Sequence, residues 1–211
     1  MKLRWLFFVF LLLTGTAAAN PPVLLVVGDS LSSGYGIELR SGWVSLLQDR
    51  LRQQGYPHRV VNASISGDTT AGGRARLADM LKRQNPQIVI LELGGNDGLR
   101  GLSLIETRAN LNAMIQSAKG SGARVLLTGV HIPPNYGPDY TKKFHAIYQD
   151  LARSQQVARV PFLLEDVALN PELMQADGLH PRANAQSRIL DNVWPHLKPL
   201  LGAASKPKAS N

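Results

Sequence analysis

The chain has 211 residues, 44% of them hydrophobic and 18% charged, and Lys and Arg outnumber Asp and Glu to give a net charge of +8. It contains no cysteine, which excludes a thiol nucleophile, Cys-based zinc sites and lipid attachment through cysteine. The basic residues, among them Arg50, Arg74, Lys82 and Lys142, are scattered. No basic stripe or aromatic stacking set accompanies them, so no nucleic-acid partner is expected. They read as a solvated surface, with steering of anionic substrates as the sharper alternative.

Lys2 and Arg4 precede an unbroken apolar run, Trp5 to Leu13, and the stretch Thr14 to Ala19 ends in small residues. That is the pattern of a secretory signal peptide cleaved after Ala19. The run is far shorter than the ~20 residues of a spanning helix, so no transmembrane segment is expected after cleavage. Export without disulfides fits the bacterial periplasm. The expected organisation is a signal peptide at 1–19, one domain at 20–201 and a flexible polar tail at 202–211. A domain of this size buries ~70% of its unfolded surface and needs no disulfide staples.

Val23-Leu24-Leu25-Val26-Val27 reads as a strand buried on both faces, broken by Gly28 just before Asp29-Ser30. Ser41 then caps a helix with Trp43, Val44, Leu47 and Leu51 at helical spacing, ending at Gly55. Arg59 to Ala63 is a second strand leading to Gly67, and Asp68 or Thr69 opens a helix towards Asn85-Pro86. A third strand, Gln87 to Leu93, stops at Gly94-Gly95-Asn96-Asp97-Gly98; Ser103 caps the next helix, which ends at Gly120. A fourth strand, Ala123 to Gly129, empties into the proline-rich stretch His131 to Pro138. A helix over 140–155 and an edge strand over 160–164, demoted by Pro161, follow. Residues 166–174 read as irregular or a short helix, and a last helix covers 182–200. Strands alternating with helices predict an α/β/α sandwich around a five-stranded parallel sheet, in the order 2-1-3-4-5.

In such a sheet the breaks after the strands share one edge, where ligands and chemistry sit. Four breaks carry polar groups: Ser30, Gly67, Asn96 and Asp177-Gly178-Leu179-His180. Acyl transfer needs a nucleophile, a base, an orienting acid and oxyanion donors. Ser30 supplies the hydroxyl, His180 the base and Asp177 the acid; the Ser30 and Gly67 N–H groups and the Asn96 amide are the donors. Each residue also has an ordinary reading: Ser30 as a helix cap, the others as turn residues. Four such coincidences on one edge make the catalytic reading the stronger. Asp29, Asp68 and Asp97 read as structural partners of helix N-termini. His131 and His145 read as wall or surface, His58 and His196 as element ends. There is no Gly-x-Ser-x-Gly elbow, Walker A loop, dinucleotide fingerprint or His-Glu-x-x-His motif, and no cofactor or metal is expected.

Gly28-Asp29-Ser30-Leu31, Gly67, Asn96 and Asp177-x-x-His180 resemble, in order, the blocks of the SGNH or GDSL hydrolases. Longer stretches, Asn62 to Thr69, Leu91 to Gly101 and Pro134 to Gly137, resemble the bacterial periplasmic thioesterase I/lysophospholipase L1/arylesterase group. The resemblance implies a flavodoxin-like fold and a cofactor-free serine esterase; a monomer is the default expectation. It implies activity on carboxylic esters and thioesters: acyl-CoA, lysophospholipid, aryl and aromatic amino-acid esters. It also implies an acyl groove shaped by segments 131–140 and 68–85. A carbohydrate O-acetylesterase of the same fold and a non-catalytic flavodoxin-like binding module are the alternatives.

Overall fold

The computed structural model describes residues 20–204; the leader at 1–19 and the tail from residue 205 lie outside the described residues. Five strands, β1 (Val23–Gly28), β2 (Arg59–Asn62), β3 (Ile88–Glu92), β4 (Arg124–Thr128) and β5 (Ala158–Val160), form one parallel sheet in the expected order β2-β1-β3-β4-β5. The central strands β1 and β3 are buried at every residue, whereas β2 at one edge is only partly covered. Unbroken Val, Ile and Leu runs suit β1 and β3 because helices cover both faces of a parallel sheet.

Successive side chains leave a strand on opposite faces, and this alternation builds two cores. Leu24, Val26, Ile88, Ile90 and Leu126 pack against α2 (Trp43–Gln53) and α7 (Gln186–Leu197) through Trp43, Leu47, Ile189 and Val193. Leu25, Val27, Val89, Leu91 and Leu127 face α3 (Thr70–Gln84), α5 (Leu104–Gly120) and α6 (Pro138–Gln155) through Leu77, Leu111, Ile115 and Phe144. Two short helices, α1 (Ser30–Ser33) and α4 (Gly95–Leu99), follow the central strands directly. Four and five residues long, they fall below the length at which helical periodicity shows.

Several boundaries differ from the sequence expectation, among them the start of α6 at Pro138 rather than 140. The cap of α2 is Gly42, because Ser41 closes a 3₁₀ turn in which its N–H donates to Glu38 O at 2.9 Å. The edge strand is Ala158–Val160 rather than 160–164. Pro161 has no N–H to continue the ladder, and the chain instead folds over Gly129, whose N–H donates to Val160 O at 2.8 Å. The last helix is α7 flanked by 3₁₀ turns at Ala183–Ala185 and Lys198–Leu200.

Gly98 in α4 lies against the second core: an added Cβ would stand 2.6 Å from Ile132 Cγ2 and 2.9 Å from Phe144 Cε2. Overpacking of this kind costs ~1–3 kcal/mol. Gly98→Ala is therefore expected to lower the unfolding midpoint in urea, and an unchanged midpoint would show that α4 moves freely off the core.

Candidate active site

The end of β1 delivers Ser30 as the first residue of α1. The cap is Asp29, whose Oδ1 accepts from Leu31 N–H at 3.1 Å, so the hydroxyl of Ser30 is not spent on capping. His180 Nε2 lies 2.9 Å from Ser30 Oγ. The loop that brings it there is irregular but tied down. Met174 and Pro181 form an antiparallel bridge, Gln175 N–H donates to His180 O at 2.7 Å, and Arg182 N–H donates to Leu173 O at 2.7 Å. Within the loop, Asp177 Oδ2 is 2.6 Å from His180 Nδ1, and Oδ1 accepts from the Leu179 and His180 N–H groups at 2.9 and 3.0 Å. The bond to the His180 ring, reinforced by the His180 N–H, holds Asp177 down to about 2. An ionised Asp177 draws the ring proton to Nδ1 and leaves the Nε2 lone pair facing Ser30. Tyr35 packs on the imidazole, with ring centroids 4.5 Å apart.

Two further strand ends complete the edge. Gly67, after β2, has φ +79°, a conformation that favours glycine, and its carbonyl accepts from Arg100 Nη2 at 3.0 Å. Among the described residues, neither the Ser30 nor the Gly67 N–H has an acceptor. Asn96, in α4, donates from Nδ2 to Asp68 O at 2.9 Å and to Asp29 Oδ2 at 3.1 Å. An oxyanion on a substrate bound at Ser30 can claim the N–H that now goes to Asp29.

The three aspartates set aside as structural hold the frame. Asp68 pairs with Arg76 at 2.8 Å, and Asp97 accepts from the Thr70 N–H at 2.9 Å, joining α4 to α3. Asp29 is buried, and burial pushes its carboxyl up to about 6 against the opposing pull of the Leu31 N–H, His180 and Asn96. A second buried carboxyl was not singled out from the sequence. Glu92, the last residue of β3, is pushed well above the usual carboxylate range by burial and then by Asp29. Its signal was a lone acid inside the apolar run Ile88 to Leu93.

A cavity of about 500 Å³ opens beside Ser30 and His180, lined by Leu31, Leu99, Ile132, Phe162, Met174 and Leu179 among others. Its wall uses Val130 to Pro134, but nothing from 68–85, which corrects that part of the groove expectation. α3 packs on the sheet away from the opening, through Leu77 and Leu81. His131 stacks on Phe162 at 4.0 Å and touches His145 at 3.8 Å. Burial, then the His145 charge, lowers His131 to about 4, so it is a neutral wall residue. Tyr136 and Tyr140 donate their hydroxyls to Leu99 O at 2.8 Å and Leu102 O at 3.2 Å, tying the segment after Pro134 to the end of α4 and the chain just beyond it. His58 instead bonds Gln87 at 2.8 Å, and His196 lies in the last turn of α7. Among the described residues no cluster of three metal-ligating side chains occurs, and no helix is long and apolar enough to cross a membrane.

A hydroxyl, imidazole and carboxylate in line at a sheet edge, beside an apolar cavity, define the serine acyl hydrolases. The chain belongs to the GDSL-like lipase/acylhydrolase family, whose model matches residues 26–188. It is 54% identical over 190 residues to the esterase TesA of Pseudomonas aeruginosa, covering 90% of this chain and 94% of that one. It is 44% identical over 199 residues to thioesterase 1/protease 1/lysophospholipase L1 of Escherichia coli, covering 94% of both. The crystal structure of the esterase EstA from Pseudoalteromonas, inhibited by monoethylphosphonate, superposes with a TM-score of 0.80 at 37% identity, over 86% of this chain and 99% of that one.

Because the native Asp29 carboxyl titrates near 6 rather than 3.8, folding favours its protonated form. This contribution is complete below the unfolded value and lost as pH rises through the native one. Asp29→Asn is thus expected to raise the melting temperature relative to the parent more at about pH 8 than at about pH 4.5. Equal differences at the two pH values would show that ionised Asp29 is not penalised by burial.

Proposed function

We propose that the protein hydrolyses carboxylic esters and thioesters through an acyl-enzyme on Ser30. The observation that carries this reading is the unbroken relay from Ser30 Oγ to His180 Nε2 at 2.9 Å and from His180 Nδ1 to Asp177 Oδ2 at 2.6 Å. As Ser30 Oγ attacks the carbonyl carbon, His180 takes its proton at Nε2. Asp177, ionised far below neutral pH, orients the ring and stabilises the imidazolium. The oxyanion is held by the Ser30 and Gly67 N–H groups and by Asn96, which exchanges its bond to Asp29 for one to substrate. Collapse breaks the bond to the leaving alcohol or thiol, which receives the proton from His180. Water, deprotonated by His180, then releases the acid and restores Ser30.

The apolar cavity supports an acyl chain as the group recognised, and the activities named for the relatives support acyl-CoA, lysophospholipid and aryl esters as substrates. The five site residues form a complete set within one chain, so a monomer suffices for this chemistry. The leader pattern of residues 1–19 supports export to the periplasm.

Incubation with an organophosphonate is expected to add its phosphonyl group to Ser30, seen by mass spectrometry, and Ser30→Ala is expected to lose both labelling and turnover. A folded parent protein that resists labelling would favour a binding module. Asn96→Ala is expected to lower kcat by ~10²–10³-fold, as for loss of one oxyanion donor; parent-level turnover would remove Asn96 from the oxyanion site. Across p-nitrophenyl esters and acyl-thioesters of increasing length, kcat/KM is expected to exceed that on acetylated sugars. The reverse order would identify a carbohydrate O-acetylesterase.

A further inference from the structure

Glu92 is the one fully buried carboxyl near the site that takes no part in the chemistry above. Its Oε2 accepts two hydrogen bonds, from Asp29 N–H at 3.2 Å and from Ser32 Oγ at 2.7 Å. Ser30 stands between these two donors in the chain. Glu92 and Gly28 are register partners across β3 and β1. The fit there leaves no room for a side chain on Gly28, since an added Cβ would lie 2.6 Å from Glu92 Oε2 and 2.8 Å from Ser32 Oγ. The other oxygen, Oε1, is buried without a hydrogen-bond partner among the described residues. Burial and the Asp29 carboxylate both favour the protonated form. The geometry makes Oε2 the accepting oxygen, held by two donors from the β1–α1 turn. A buried polar group this poorly satisfied is costly, and an apolar residue in its place would leave the Asp29 N–H and the Ser32 hydroxyl without their acceptor.

We infer that Glu92 is a positioning residue for the nucleophile: by gripping Asp29 N–H and Ser32 Oγ on either side of Ser30, it sets the β1–α1 turn that presents Oγ to His180. The same turn aims Asp29 Oδ2 at Asn96, so one buried oxygen registers the nucleophile and, through Asp29, the oxyanion amide. This assignment rests on Ser30 being the nucleophile.

The test compares Glu92→Gln, Glu92→Ala and Ser32→Ala with the parent. For each, kcat and KM on a p-nitrophenyl ester, the rate of phosphonate labelling and the thermal melt are measured. Displacement of a reacting group by as little as ~1 Å can cost ~10²-fold in rate. Glu92→Ala is expected to lose kcat on that scale with KM nearly unchanged, and its labelling rate falls in parallel. Ser32→Ala removes one of the two grips and is expected to lose kcat several-fold, again at constant KM. Glu92→Gln keeps the accepting oxygen and is expected to retain most of kcat. If Glu92→Ala does not fold, the contrast between Ser32→Ala and Glu92→Gln decides. Parent kcat in Ser32→Ala, or a loss in Glu92→Gln as deep as that in Ser32→Ala or Glu92→Ala, would overturn the role. A lower melting temperature with full kcat in the folded variants would reduce Glu92 to a structural part. An unlabelled parent would overturn the nucleophile assignment and this one together; a labelled parent with full kcat in Ser32→Ala overturns this one alone.

Discussion

The bond between His180 Nε2 and Ser30 Oγ joins residues 150 positions apart, and the site depends on its being held without regular structure on the histidine side. Ser30 is placed by a central strand buried along its whole length and by a cap at Asp29. His180 instead hangs from a loop whose two ends are cinched by the Met174–Pro181 bridge and the Gln175 and Arg182 backbone bonds. Inside that loop Asp177 spends both oxygens on the histidine and its neighbours. The carboxylate thereby folds the loop and orients the base with one set of contacts. A loop so closed confines the imidazole much as a helix would, while leaving the cavity beside it open.

The second constraint is electrostatic. Two carboxyls, Asp29 and Glu92, lie buried beside the β1–α1 turn that carries Ser30, linked through the Asp29 N–H. Ionising both in so small a space is unfavourable, and burial drives each towards its neutral form. Glu92, the more deeply enclosed, is pushed well above the usual carboxylate range. Asp29 can then carry charge near neutrality, where the Leu31 N–H, Asn96 and His180 all favour it. Asp29 thus holds its charge beside the Asn96 amide, which donates to its Oδ2 at 3.1 Å.

Much of this was legible in the chain. Apolar runs mark the four longer strands, and crossover handedness narrows their order to a few topologies, of which 2-1-3-4-5 is the one found. The convergence of Ser30, Gly67, Asn96 and His180 follows in turn, because parallel strands end on one edge. Other features depend on contacts between distant segments and leave little local trace. The helices α1 and α4 are too short for periodicity, and β5 ends where Pro161 meets Gly129, a packing event invisible in the sequence near either residue alone. Glu92 was hidden for the opposite reason: it sits in a run so apolar that it reads as strand, and only the bare Gly28 across the ladder shows why an acid is there. The exclusion of 68–85 from the groove likewise requires knowing that α3 packs on the sheet through Leu77 and Leu81.

The latches along the groove have a consequence for how such a pocket can change over time. Tyr136 and Tyr140 fasten to main-chain carbonyls at positions 99 and 102, not to side chains. Any residue offers the same carbonyl, so drift in the side chains there leaves the fastening intact. Leu99, which lines the cavity, is thereby free to be exchanged for a larger or smaller group while the rim keeps its shape. A substitution at Leu99 would thus reshape the cavity wall while leaving the carbonyl that Tyr136 binds in place.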